Sequence, residues 1–329
     1  MNDEINDILS EQNPVEQVDE QRKKAKAVHI LKLVLRILLG GFFISTAILK
    51  LLSLDNFEIY IYSFHIFNYI LCTVVARLVI MAELLLGFLL IAKIFYKQAW
   101  WATMAMMMGF TLLLVYTAIF RNDANCHCMG DLVQVKPSLS IIKNVVTIAL
   151  LLLIYKENDY QFKGKTAVGI VGLVAAFAVP FCLFPMDTVW NMFDRKGQVI
   201  NEERFHEFMM DSIAQSIDID EGHYIVGYLA AGCKYCKVSG KKINSIIENN
   251  HLDPDKVVIF IWGKEESIAK FKEETGAQNF RYVTIDPITA IEVVNGQFPT
   301  FIYVTDGEKT KSVDIRGLVE PDIVNHLSE

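Results

Sequence analysis

The segment Gly232-Cys233-Lys234-Tyr235-Cys236 gives the clearest indication of the fold of the C-terminal part of the chain. It follows an apolar run typical of a β-strand, residues 224–229, and precedes a run with helical periodicity, residues 238–247. Two cysteines with this spacing at such a junction put the first thiol, that of Cys233, at the N-terminus of a helix. The helix dipole and the free backbone amides stabilise a thiolate there. The stretch therefore predicts that Cys233 and Cys236 form a redox-active pair.

A second landmark lies further along, where Gln297-Phe298-Pro299-Thr300 precedes a strand-like run at residues 301–304. Another strand-like run, residues 257–262, lies between the two landmarks. With this order of elements and both landmarks, the segment 222–329 resembles a thioredoxin-like α/β domain. In that family the proline is cis and packs against the cysteine pair, so the resemblance assigns this role to Pro299.

The segment departs from the family pattern next to the cysteines. Ala230-Ala231-Gly232 stands where the family usually has a tryptophan-containing approach, and Lys234-Tyr235 replaces the inner Gly-Pro pair. Residues around the cysteines help to set the reduction potential, so the sequence leaves that potential open.

A C-x-x-C pair is also half of a structural zinc site, which needs two further ligands nearby. The histidines available in the soluble part are His206, His223, His251 and His326. Their spacing matches no ligand pattern. The sequence therefore favours a redox pair over zinc at this position and predicts no metal site.

The composition is split between a very apolar first part and an ordinary charged last part. The chain has 329 residues, of which 53% are hydrophobic, and its formal net charge is −7. Long apolar runs indicate membrane spans, and five are predicted, at about residues 33–52, 66–92, 99–120, 139–155 and 166–184. No basic patch with interleaved aromatic residues is present, so nucleic acid is not an expected partner.

Positive charge is distributed unevenly among the predicted connections. A basic cluster precedes the first span and consists of Arg22, Lys23, Lys24 and Lys26. Lysines also lie in connections 93–98 and 156–165, whereas the loop 53–65 has neither Lys nor Arg. Because Lys and Arg are enriched in cytoplasmic loops, the N-terminus is predicted to be cytoplasmic. Alternation then puts the thioredoxin-like domain outside the cell (inner) membrane, where disulfide chemistry operates; extracytoplasmic thiol/disulfide proteins and lipid are the expected partners.

A second cysteine motif, Cys126-His127-Cys128-Met129-Gly130-Asp131, lies in the loop between the third and fourth predicted spans. Two thiols in C-x-C spacing can exchange with an external thiol, one forming a mixed disulfide and the other resolving it. Copper(I) binding by the Cys, His and Met side chains and a structural disulfide are the alternatives. Cys72 and Cys182 lie near the outer ends of the second and fifth predicted spans and are interpreted as small packing residues.

The membrane part carries a resemblance of its own. Gly40-Gly41, Ser45 and Lys50 in the first span, and Glu83-Leu84-Leu85-Leu86-Gly87 in the second, are similar to the DoxX/MauE family. The family's C-x-C-[FM]-G motif maps onto Cys126 and Cys128. The resemblance covers about residues 34–156 and implies a redox-associated membrane protein, since the MauE branch is linked to methylamine utilisation and to disulfide handling in the periplasm.

Together these observations predict a multi-pass helical membrane bundle followed by a thioredoxin-like domain. The first predicted parts are a disordered acidic cytoplasmic tail (residues 1–27) and a DoxX/MauE-like four-span domain (28–156). A fifth span (157–186) and a linker leading into the last domain (187–221) follow, and the thioredoxin-like domain comes last (222–329).

Two charged residues, Arg77 and Glu83, lie within the second predicted span. Six helical positions separate them by about 120° around the axis and roughly 9 Å along it, so they are not expected to pair with each other. Charges in a membrane are costly and mark either functional sites or polar contacts. One interpretation is a proton path or a site for a quinone, the one possible cofactor; the other is a contact that stabilises the bundle.

The favoured function is a membrane-bound thiol-disulfide oxidoreductase that relays electrons between Cys233/Cys236 and Cys126/Cys128. A domain tethered on the same side of the membrane holds its thiols at high effective concentration near the loop pair. The alternative is a membrane-anchored assembly or copper-delivery factor that uses the C-H-C-M loop. A transporter is least favoured, because the chain shows no internal repeat.

Overall fold

The computed structural model describes residues 14–121, 125–126, 129–130, 135–155, 160, 163–193, 197–210, 217 and 219–328, with side chains from residue 18 onward. The chain divides into two compact units. One comprises residues 1–52 and 80–179, and the other comprises residues 53–79 and 180–329.

The N-terminal half of the chain is helical. Its helices are α1 Pro14–Leu51, α2 Leu54–Tyr62, α3 Tyr69–Ala92, α4 Tyr96–Tyr116, α5 Pro137–Leu153 and α6 Lys165–Ala178, with π-helical turns Thr117–Arg121 after α4 and Val179–Leu183 after α6. Within the described residues, four segments are long and apolar enough to cross a membrane: Val18–Leu51, Tyr69–Ala92, Tyr96–Arg121 and Lys165–Leu183. The remaining predicted span corresponds to α5, whose 17 residues stand at the short end of the range for a spanning helix.

The acidic tail, predicted to be disordered or weakly helical, is helical over its described part. Helix α1 begins at Pro14, well before the predicted span, and residues 1–13 lie outside the described residues. Lysines one turn after acidic residues support this extension, with Lys23 Nζ 3.9 Å from Asp19 and Lys24 Nζ 2.8 Å from Glu20. Such i,i+4 pairs stabilise a helix whose nucleus already exists in the adjoining apolar segment.

In the first unit, glycine allows α1 and α3 to approach closely. A Cβ atom added to Gly40 would lie 2.7 Å from the carbonyl oxygen of Gly87, and one added to Gly87 would lie 2.7 Å from that of Gly40. Small residues at such a crossing are typical of membrane helices, which associate through backbone proximity and van der Waals packing. Around it, Phe43, Leu90 and Trp100 belong to one buried apolar cluster.

The second unit contains a five-stranded sheet in the order β3-β2-β1-β4-β5. Its strands are β1 His223–Ala230, β2 Val257–Trp262, β3 Arg281–Thr284, β4 Thr300–Thr305 and β5 Glu308–Val313. Strand β1 is parallel to β2 and antiparallel to β4, and β2 is parallel to β3. The remaining helices are α7 Asp187–Phe193, α8 Glu202–Met209, α9 Lys234–Asn249, α10 Glu265–Thr275, α11 Pro287–Val293 and α12 Glu320–Ser328. This arrangement is a thioredoxin-like fold, as the sequence predicted.

Both faces of the sheet are covered. On one face, side chains from β1, α9 and α12 form a buried cluster that includes Ile225, Leu229, Ile243, Ile247 and Leu327. On the other, a second cluster includes Phe205, Phe208, Tyr228, Phe260 and Val293. The predicted linker 187–221 is therefore partly structural, because α8 lies within it and contributes Phe205 and Phe208 to the core. A sheet between two layers needs an apolar cover on each face, and α8 supplies part of the second cover.

Residues 53–79 pack with the thioredoxin-like domain. The predicted loop 53–65 contains helix α2, and Ile59 and Tyr62 of this helix join the domain's core cluster together with Tyr69 and Cys72 of α3. The Tyr62 hydroxyl donates a hydrogen bond to Glu320 at 2.6 Å, and Asn249 Nδ2 donates one to the Tyr62 carbonyl oxygen at 3.0 Å.

Candidate active site

Cys233 occupies the N-cap of α9, directly after the turn that leaves β1. Its backbone N–H donates to the Ala230 carbonyl oxygen at 3.0 Å, which closes the turn. Its Sγ accepts a hydrogen bond from the backbone N–H of Cys236 at 3.3 Å. The sulfur therefore takes the place that a Ser or Asp oxygen has in an ordinary N-cap, where a negative charge is stabilised by the helix N-terminus.

The two sulfurs of this site differ in access to solvent. Cys233 is partly exposed, whereas Cys236 is fully buried. Cys236 Sγ accepts a hydrogen bond from the Ala230 backbone N–H at 3.4 Å, and burial raises the pKa of its thiol. An incoming disulfide can therefore reach Cys233, while Cys236 is kept as a protonated thiol behind it.

Pro299 lies in the loop that enters β4, and the Phe298–Pro299 peptide bond is cis. Thr300, the next residue, pairs with Tyr228 in the antiparallel ladder between β4 and β1. Since β1 ends only two residues later, at Ala230, this ladder places the proline loop beside the strand end from which the cysteine turn leaves. Pro299 is buried, and the ring of neighbouring Phe298 lies 6.5 Å from that of Trp262, measured between centroids.

The second motif is described in part: Cys126 and Met129-Gly130 lie within the described residues, and His127, Cys128 and Asp131 lie outside them. Cys126 is only 2% exposed, and its backbone N–H donates to the Val135 carbonyl oxygen at 3.0 Å. Its Sγ lies 2.9 Å from the hydroxyl oxygen of Ser140, a fully buried residue in the first turns of α5. The loop thus fixes one sulfur of the pair against a helix start.

Glu83 is paired with a lysine in the first unit. Lys50 Nζ of α1 lies 2.7 and 2.8 Å from the two carboxylate oxygens of Glu83, and both side chains are buried. The Thr46 hydroxyl adds a longer contact of 3.5 Å to the same carboxylate. In a buried ion pair each charge compensates the other, and removal of one partner is strongly destabilising.

Arg77 has partners of its own in the second unit. Its guanidinium forms an ion pair with Glu58 of α2, and its Nε donates to the Phe184 carbonyl oxygen at 3.0 Å. Burial raises the pKa of Glu58 to about 7 against the opposing effect of Arg77. Arg77 and Glu83 are thus in separate ion pairs, the arrangement expected of contacts that stabilise the fold. A proton-path or quinone-binding role for the two residues stays a prediction.

Sequence reasoning missed Glu58 and Ser140. Glu58 lies in a segment predicted as a loop, although Phe57, Ile59 and Tyr62 give that segment the apolar spacing of a short helix. Ser140 has no sequence signal beyond its place just after Pro137 at the start of a helix. Cys72 is buried in the domain core, as predicted for a packing residue, whereas Cys182 is exposed. Within the described residues, no group of three or more His, Cys, Asp or Glu side chains is arranged to hold a metal ion.

Comparison with known protein families supports the predicted MauE-like domain in the N-terminal half of the chain. Residues 28–156 match the family model of methylamine utilisation protein MauE. This match confirms the predicted resemblance to MauE over the predicted membrane domain.

Two further similarities were found. Protein TlpB of Flavobacterium psychrophilum is 23% identical to the chain over 334 aligned positions, which cover 85% of this chain and 90% of the relative. The crystal structure of a secreted Mycobacterium tuberculosis disulfide oxidoreductase homologous to E. coli DsbE matches 35% of this chain and 85% of its own, with 11% identity and a TM-score of 0.28.

Proposed function

We propose that the protein is a membrane-bound thiol-disulfide oxidoreductase that relays electrons between Cys233/Cys236 and Cys126/Cys128. The observation that carries the proposal is the partly exposed Cys233 sulfur at the N-cap of α9, directly in front of the buried Cys236 thiol. The MauE match over residues 28–156 supports a membrane partner for this site. The similarity to TlpB covers 85% of the chain, so it includes residues of both the membrane part and the thioredoxin-like domain.

In the proposed reaction, the Cys233 thiolate attacks one sulfur of a substrate disulfide. A bond forms between Cys233 and that sulfur, and the other substrate sulfur leaves with the electron pair and takes up a proton. Cys236 then loses its proton and attacks Cys233, which forms the Cys233–Cys236 disulfide and releases the second substrate thiol. Two electrons pass from the domain to the substrate; Cys236 gives up one proton, and the solvent supplies the other, which balances the proton that Cys233 lost when it ionised.

The Cys126/Cys128 thiols would reduce the Cys233–Cys236 disulfide by the same two exchanges and become a disulfide themselves. Because each exchange is reversible, the same sites can also carry oxidising equivalents in the opposite direction. Both pairs need to face one compartment, and the loop charges support a cytoplasmic N-terminus with the thioredoxin-like domain outside. The substrates would then be extracytoplasmic thiol or disulfide proteins.

Exchange by the purified full-length protein tests the proposal. The probe is a fluorescent peptide dimer joined by a disulfide, and the reduced protein should split it. The Cys233→Ser variant should lose this activity by at least about a thousandfold, because the attacking thiolate supplies the whole reaction. The Cys182→Ser variant is the matched control, since Cys182 is an exposed cysteine outside both pairs, and it should react like the wild type. Normal exchange by Cys233→Ser would overturn the proposal.

A further inference from the structure

A short segment at the entrance to the thioredoxin-like domain, the strap (residues 197–201), runs beside β5, the last strand of the sheet. The backbone N–H of Gln198 donates to the Ser312 carbonyl oxygen at 2.9 Å, and the Ser312 hydroxyl donates in return to the Gln198 carbonyl oxygen. Gly197 allows this approach, because a Cβ atom there would lie 2.7 Å from the same Ser312 carbonyl oxygen. These contacts hold the strap against the edge of the sheet.

The side-chain amide of Gln198 lies among hydrogen-bond acceptors. One end of the amide is 3.1 Å from the Val313 carbonyl oxygen and 3.3 Å from the Pro299 carbonyl oxygen. Carbonyl oxygens only accept hydrogen bonds, so this end is the NH₂ group and it donates. The Thr300 hydroxyl oxygen, 2.9 Å away, also accepts, because its own proton goes to the Gln297 carbonyl oxygen at 2.6 Å. The amide therefore joins β5 to the residues that lead into β4.

The strap also binds the earlier part of the proline loop (residues 294–299). The backbone N–H of Asn201 donates to the Val293 carbonyl oxygen at 2.9 Å, directly before this loop begins. Within the loop, Asn295 Nδ2 donates to the Val199 carbonyl oxygen at 3.2 Å. The strap thus holds the proline loop at its start, in its middle and, through the glutamine amide, at its end.

On these grounds we infer that Gln198 is a positioning residue for disulfide exchange at Cys233 and acts through the proline loop. The inference rests on the proposed function, because it concerns the same reaction. Pro299 is followed by Thr300, which pairs with Tyr228 of β1. That strand ends two residues later, directly before the turn that carries Cys233. A firmly held proline loop keeps one side of this turn in place for an incoming substrate disulfide, whereas the sulfur itself is held independently by its N-cap position.

Exchange by the full-length protein tests the inference, with Gln198→Met as the variant. Methionine keeps the length of the side chain but donates no hydrogen bond. We expect the second-order rate constant for the fluorescent peptide dimer to fall by about tenfold, because a small displacement of groups that position a substrate slows its reaction. Iodoacetamide labelling of Cys233 should keep the wild-type rate, because this small reagent needs only the sulfur.

Gln278→Met is the matched control. It makes the same substitution at an exposed position shortly before β3, at the edge of the sheet opposite the cysteine turn, and it should leave both rates unchanged. Exchange by Gln198→Met at the wild-type rate would overturn the inference. An equal fall in peptide exchange and in Cys233 labelling would also overturn it, because the effect would then reach the sulfur itself.

The pH dependence of Gln198→Glu is a second readout, which a packing role would not change. An ionised carboxylate only accepts hydrogen bonds and cannot donate to the Pro299 carbonyl oxygen, whereas a protonated carboxyl group has one O–H to donate. The exchange rate of Gln198→Glu, divided by the wild-type rate at the same pH, should therefore rise as the pH is lowered from about 8 to about 4, below the ordinary pKa of a glutamate. A ratio that stays constant with pH would show that the side chain only fills space.

The outcomes separate this inference from the proposed function. If the wild type splits the peptide dimer and Gln198→Met does so equally well, the oxidoreductase function stands and Gln198 is not a positioning residue. If the wild type does not split the dimer, the proposed function fails, and the role of Gln198 in it fails as well.

Discussion

Cys233 and Cys126 each lie beside the first turn of a helix, but different parts of the sequence put them there. Cys233 is itself the N-cap of α9, so one continuous strand, turn and helix place its sulfur. Cys126 is held from outside its own segment, through a side-chain contact with Ser140, fourteen positions further along the chain. The first site is therefore a local structure, whereas the second depends on the packing of the membrane bundle. Changes that loosen the bundle should affect Cys126 and leave Cys233 unchanged.

The largest effect is expected from Lys50→Met, which leaves the buried Glu83 carboxylate without the partner that binds it at 2.7 and 2.8 Å. Removing one member of a buried ion pair costs about 3–5 kcal/mol. Thermal unfolding of the membrane part in detergent should therefore begin at a much lower temperature than in the wild type, and Cys126 should become accessible to alkylation.

The double variant Lys50→Met/Glu83→Met is the control for that loss, because it removes both charges and should restore most of the stability. Electron transfer through the restored double variant then separates the two interpretations of Glu83. Transfer at the wild-type rate identifies the pair as structural, while transfer that stays blocked in a stable protein supports the proton-path interpretation.

A second large difference should appear within the thioredoxin-like domain. In reduced protein at neutral pH, iodoacetamide should label Cys233 more than about a hundredfold faster than Cys236, because burial raises the pKa of the Cys236 thiol and shields it. Below its pKa the thiolate fraction of Cys236 increases about tenfold per pH unit, so its labelling should still be accelerating in alkaline buffer. Peptide mass spectrometry measures both rates, and comparable labelling at neutral pH would show that Cys236 is not the protected member.

A smaller effect is expected at the crossing of α1 and α3. Gly40→Ala puts a Cβ atom 2.7 Å from the Gly87 carbonyl oxygen, whereas a Cβ atom on neighbouring Gly41 meets no atom within 4 Å. Overpacking of this kind costs roughly 1–3 kcal/mol. The Gly40→Ala protein should unfold at a lower temperature and expose Cys126, and Gly41→Ala should not. Equal behaviour of the two alanine variants would mean that the helices do not cross at Gly40.

The smallest effect is expected where residues 53–79 support the domain. Tyr62→Phe removes a hydroxyl that donates to Glu320 at 2.6 Å and accepts from Asn250 Nδ2 at 3.1 Å. Loss of these hydrogen bonds should destabilise the domain by about 1 kcal/mol, measured by chemical denaturation. The rate of Cys233 labelling should stay the same, because Tyr62 contacts Asn249 and Asn250 at the C-terminal end of α9, whereas Cys233 lies at the N-cap of that helix. An unchanged denaturation midpoint would show that α2 does not stabilise the domain.

The sequence predicted those features that short segments encode by themselves. Strand β2 was predicted at residues 257–262 and observed at Val257–Trp262, because a continuous apolar run is typical of a buried strand. The cysteine turn and the proline before β4 were also predicted, since their spacing is specific. The long spans were predicted because apolar length alone decides them.

Features that depend on contacts between distant residues were not predicted. The short helix α8 lies in the segment predicted as a linker, although Asn201 at its N-cap and the spacing of Phe205 and Phe208 are helix signals. Glu58 was missed as the partner of Arg77 because charge alone does not identify a partner in another segment. The contact between Cys126 and Ser140 likewise depends on how the loop folds back onto α5, which local propensity does not determine.

Electron exchange between the two cysteine pairs requires a mixed disulfide that joins them, and this intermediate can be trapped. In a Cys236→Ser variant, Cys233 lacks its resolving thiol, so a mixed disulfide at Cys233 should persist after acid quenching. Mass spectrometry of the full-length protein from membranes then identifies the sulfur joined to Cys233. The relay predicts a bond between Cys233 and a cysteine of the C-H-C loop. A Cys233 joined only to cysteines of other proteins would contradict it and would leave the membrane part without a role in the exchange.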